Sequence, residues 1–116
     1  MVRIPLVLAV ALAVLPACGT KKGDYDASAS LRSGEKAGAT VVVRNLDYVP
    51  HAVTVEAGQV VVWRFDDGAV PHNVKGSDFR SPVVKHDTWS RRFSAPGTYD
   101  YLCTIHTYMR GTVTVR

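Results

Sequence analysis

At 116 residues the chain has room for one small domain, and a sizeable catalytic cleft is out of reach. Hydrophobic residues make up an ordinary 47%, and Val recurs in short clusters parted by Gly, Pro and Asp, which favours strands over helices. The formal charge of +4 comes from Lys and Arg scattered along the whole chain, without the basic run or interleaved aromatics of a nucleic-acid surface, so nucleic acid is set aside as a partner.

The chain opens with one charge, Arg3, and an apolar run over residues 4–15 that is too short to span a bilayer. This reads as the core of an export signal. It ends in Leu15, Pro16, Ala17 and Cys18, which resembles the bacterial lipobox, where the Cys is lipidated and becomes the mature N-terminus. The expectation is a signal peptide over 1–17, a lipid anchor at Cys18, and a place on the periplasmic or extracellular face of the cell membrane. The plainer alternative is a simple cleaved signal, with Cys18 free or bridged to Cys103. From Cys18 to residue 39 the sequence is mostly Gly, Ser, Ala, Lys and Asp, and reads as a flexible tether with a reach of roughly 25 Å.

The globular part is expected over residues 40–116. Strand patterns follow at 41–44, 52–56, 59–65, 73–75, 88–93, 98–103 and 111–116, parted by turn residues such as Gly58, Gly68 and the run Ala95, Pro96, Gly97. No helical periodicity of useful length interrupts them. The reading is an all-β, antiparallel Greek-key sandwich. In the last strand Val113 and Val115 alternate with Thr112 and Thr114, as one buried face requires. Trp63, Phe65, Phe93, Tyr99 and Tyr101 are assigned to the core or its margin.

The chemistry gathers in the seven-residue run from Cys103 through Thr104, Ile105, His106, Thr107 and Tyr108 to Met109, between two expected strands. A thiolate, an imidazole and a thioether on one tight loop can converge. A second imidazole, His72, stands upstream between Pro71 and Asn73. Two His and one Cys with a distant Met form the donor set of a blue-copper electron-transfer centre. Taken singly, His72 would be a turn histidine, Cys103 a buried apolar residue and Met109 core filler. Their joint spacing favours the metal. His51 and His86 fall outside the motif and are read as surface residues.

From Val41 onward the sequence resembles the cupredoxins, the plastocyanin-like blue-copper proteins, and within them the amicyanin group. The resemblance rests on Tyr48, Pro50, Gly58 and Trp63, on the Pro71, His72, Asn73 turn, and on Gly97, Thr98, Tyr99, Tyr101 and Cys103 leading to Met109, Arg110 and Gly111. It implies one copper held by His72, Cys103, His106 and Met109. It also gives Asn73 an outer role, tying the His72 turn to the ligand loop and donating to the Cys sulfur. Two residues separate His106 from Met109, as in the short amicyanin loop. Ile105 and Thr107 stand where that loop commonly carries Pro.

The expected protein is a monomeric single-electron carrier and not an enzyme, with a dehydrogenase, cytochrome or oxidase as redox partner and a membrane reached through the lipid anchor. A copper-handling protein without an electron-transfer role is the alternative. A zinc site using Cys103, His106, His72 and His86 is disfavoured by Met109. A copper oxidase or nitrite reductase is disfavoured because Leu102 and Thr104, not His, flank Cys103. A Cys-His hydrolase lacks a cleft and an oxyanion site.

Overall fold

The computed structural model describes residues 29–116 and contains strands β1 (Ala39–Arg44), β2 (Asp47–Val49), β3 (Ala52–Val55), β4 (Val60–Asp66), β5 (His86–Arg92), β6 (Gly97–Leu102) and β7 (Arg110–Val115). The expected signal peptide, Cys18 and the first part of the expected tether lie outside the described residues. One sheet runs in the order β2-β1-β4-β5 and the other β3-β7-β6. This is the all-β sandwich anticipated from the strand spacing. The ladders β1–β2, β4–β5 and β6–β7 are antiparallel, while β1–β4 and β3–β7 are parallel. The parallel pairs arise because the chain crosses to the other sheet between their two strands, so neither pair is joined by a hairpin.

Period-two burial places the core between the sheets. Val41 and Val43 on β1, Val61, Trp63 and Phe65 on β4, and Val113 and Val115 on β7 are buried, while Arg64 and Asp66 face water. The Trp63 ring lies 5.4 Å from Trp89, 5.4 Å from Tyr101 and 6.3 Å from Phe93, an aromatic cluster joining both sheets. Of the aromatics assigned to the core, Tyr99 is only partly buried; Tyr48, Phe79 and Trp89 are buried too. Gly111 is required by packing, because a Cβ there would overlap the Tyr101 ring.

Three local features depart from the expected pattern. Strand β2 forms because Asn45 and Leu46 both take positive φ, 52° and 57°, making a tight turn after β1. A leucine at such a position is not a turn signal. The strand expected at 73–75 is instead a set of isolated bridges, His72 to Val84 and Lys75 to both Arg80 and Leu102. Pro71 and Pro82 offer no backbone N–H and prevent a continuous ladder there. The described end of the expected tether is laid against the sheet. Ala29 N–H donates to the Ser90 carbonyl at 2.9 Å, Gly38 N–H to that of Val60 at 2.8 Å, and Arg92 grips both oxygens of Glu35 at 2.8 and 3.2 Å.

Candidate metal centre

Two segments from different parts of the chain meet at one end of the sandwich. Cys103 follows β6 directly, and the loop it opens closes on itself: Cys103 N–H donates to the Met109 carbonyl at 3.2 Å, and Met109 N–H to that of His106 at 2.9 Å. These bonds define the loop although Ile105 and Thr107 stand at the proline positions. His72 enters from the long connection between β4 and β5, where it exchanges backbone hydrogen bonds with Val84 at 3.0 and 2.9 Å. Cys103 Sγ lies 3.9 Å from Nδ1 of His72 and 3.9 Å from Nδ1 of His106. The metal-donor atoms of His72, Cys103 and His106 all fall within 4.8 Å of one another, and this is the one such cluster among the described residues.

The burial of these side chains is graded. His72 and Cys103 are fully buried and Met109 is 1% exposed, whereas His106 is only partly buried. Beside His106 stand Ile105, 45% exposed, and Tyr108, 65% exposed, the latter with its ring 6.2 Å from the imidazole. His51 and His86 are exposed and lie outside the cluster. The zinc alternative therefore gains no fourth nitrogen from His86. A groove of about 720 Å³ lined by Lys75, Tyr101 and Arg110 contains none of the clustered donors.

Around the donors, Asn73 Oδ1 accepts from Thr104 N–H at 2.8 Å and Thr104 Oγ at 3.2 Å, joining the His72 turn to the ligand loop. The Asn73 carbonyl accepts from the Tyr48 hydroxyl at 2.5 Å, and its buried Nδ2 has no partner among the described residues. Burial raises the Tyr48 hydroxyl well above its ordinary range and pushes that of Tyr101 up to about 12, against a partial opposing effect of Trp63.

One contact was not legible in the sequence. His72 Nε2 lies 2.7 Å from Oδ2 of Asp67. That hydrogen bond, joined by the backbone N–H groups of Leu46 and Asn45, holds the Asp67 carboxyl below the usual carboxylate range against the opposing effect of burial.

The donor set suits copper. Metal–donor bonds of about 2.0 Å to N and about 2.3 Å to S, meeting at about 120°, would set N and S roughly 3.7 Å apart, close to the 3.9 Å observed. Soft sulfur with imidazole fits Cu(I) and Cu(II) alike.

Comparison with known proteins agrees with this chemistry, since residues 6–115 match the cupredoxin-like domain family. The chain belongs to the cupredoxin-like family. It is 35% identical to amicyanin-alpha of Methylorubrum extorquens, over 78% of this chain and 89% of that one. It is 33% identical to the amicyanin of Paracoccus versutus, over 96% and 93% of the two chains. A solved amicyanin variant in its Cu(I) form superposes with a TM-score of 0.66 at 30% identity, covering 78% of this chain and 94% of that one. The His72, Cys103 and His106 cluster fits the copper that the solved amicyanin variant carries as Cu(I).

Proposed function

We propose that this cupredoxin is a type 1 copper carrier that moves single electrons between exported or membrane-associated redox proteins, and that His72, Cys103, His106 and the thioether of Met109 would hold the metal. The observation that carries this reading is the convergence of Cys103 Sγ with Nδ1 of both histidines at 3.9 Å. When bound, copper supplies a one-electron couple, and the surrounding chain does the rest. Cys103 and His72, both without solvent exposure, keep water from the metal. That burial favours a resident metal over one handed on, and so favours electron transfer over copper handling.

His106 is the partly exposed member, and it opens the route for electrons. The exposed apolar side chains of Ile105 and Tyr108 beside it provide a dry contact for a redox partner, such as a dehydrogenase, cytochrome or oxidase. Export and lipidation at Cys18 would hold the domain at the membrane face where such partners work. Protein-film voltammetry tests the carrier role, with a reversible one-electron wave expected and no wave from copper-loaded protein contradicting it. Fractionation tests the anchor: wild type should sediment with membranes and Cys18→Ser should not. Equal solubility of the two would remove the anchor and leave electron transfer standing.

A further inference from the structure

We propose that Asp67 is a positioning residue of the metal centre, whose carboxylate fixes the His72 imidazole with Nδ1 toward the other donors and ties that ligand to the β1–β2 turn. This inference rests on the copper reading above. Three N–H groups converge on the one carboxylate. Asn45 N–H donates to Oδ1 at 3.0 Å, Leu46 N–H to Oδ2 at 3.1 Å, and His72 Nε2 stands 2.7 Å from the same Oδ2.

The chemistry of the pair assigns the tautomer. An ionised carboxylate only accepts, so Nε2 must carry a proton for the 2.7 Å contact to be attractive. A neutral imidazole has one such proton, which leaves the Nδ1 lone pair free, and Nδ1 is the atom facing Cys103 Sγ at 3.9 Å. The His72 side chain is 1% exposed and that of Asp67 15%, so water competes little for the contact.

The carboxylate is itself held in place. Asn45 and Leu46 sit in left-handed backbone, which aims both of their N–H groups at Asp67. The Asp67 carbonyl accepts from Val70 N–H at 3.1 Å, bending the connection that carries His72 back toward the sheet. Ligand, loop and turn thus share one carboxylate. Its negative charge beside a ligand imidazole favours the more positive oxidised metal, so it lowers the reduction potential.

The test uses the copper-loaded protein and the variants Asp67→Asn and Asp67→Ala. In the Cu(I) form, nitrogen-detected NMR of the His72 ring should show a proton on Nε2 shielded from exchange in wild type and in Asp67→Asn, and lost to fast exchange in Asp67→Ala. Competition with a chelator should show Asp67→Ala binding copper about 10- to 100-fold more weakly. The reduction potential should shift upward in both variants, because both remove the charge. If Asp67→Ala does not fold, the potential of Asp67→Asn decides: an upward shift supports the proposal, and an unchanged value overturns it. Wild-type affinity, potential and Nε2 protection in Asp67→Ala would also overturn it. Failure of wild type itself to take up copper would instead overturn the carrier reading and this inference with it.

Discussion

Cys103 Sγ and His72 Nδ1 stand 3.9 Å apart although they lie 31 positions apart in the chain. One directly follows strand β6 and the other hangs between β4 and β5, so only the closed sandwich brings them together.

Met109 is buried in the core, and under the proposed reading it also serves the metal centre. At 1% exposure its truncation leaves a cavity, and Met109→Ala should cost the metal-free domain about 2 to 5 kcal/mol. The copper-loaded variant should keep a blue colour, since the thiolate of Cys103 remains. Thermal melts and absorption spectra read the two effects separately, and a colourless copper-loaded variant would show that the thioether is essential to the chromophore.

Gly111 is held to glycine by Tyr101. A Cβ at this position overlaps the phenol ring, so Gly111→Ala must displace a side chain packed against Tyr48 and Trp63. The expected loss is about 1 to 3 kcal/mol. Tyr101→Leu in the same background should recover part of it. An unchanged denaturation midpoint for Gly111→Ala would mean that the ring moves without cost.

Alkaline pH should weaken the fold through Tyr101. Its hydroxyl is pushed up to about 12 from an ordinary 10.0, so the folded state keeps a proton that the unfolded state has released. A raised value contributes stability that is fully present below about pH 10 and lost as pH rises through the folded value. Burial adds Tyr48 in the same direction. Urea midpoints should therefore fall between about pH 10 and 12, and Tyr101→Phe should flatten the fall. A wild-type midpoint flat across that window would contradict the assignment.

Arg92 clasps Glu35 and so keeps residues 29–38 on the sheet. Arg92→Ala should leave the melting temperature almost unchanged, as expected for a solvent-accessible pair. It should nonetheless speed amide exchange and proteolysis in that segment. Equal exchange in both proteins would show that the backbone bonds of Ala29 and Gly38 suffice.

The donors and the aromatic Trp63 strand were legible because they depend on contiguous pattern. Cys103, His106 and Met109 share one loop, and β4 alternates with period two. Asp67 was not legible, because its role needs the β4 end to meet the Asn45–Leu46 turn, and nothing in local sequence announces that meeting. Strand β2 was hidden for a related reason: Leu46 takes positive φ while its N–H is held by Asp67. The docking of residues 29–38 was hidden because their polar composition reads as linker, and what holds them is a single distant arginine and a few backbone bonds.

Absorption of the Cu(II)-loaded protein, beside Cys103→Ser, is the most direct test of the central claim. One equivalent of copper should turn wild type intensely blue through charge transfer from the Cys103 thiolate, and Cys103→Ser should remain without that colour. A wild type that binds one copper and stays colourless, or a Cys103→Ser variant equally blue, would contradict the account.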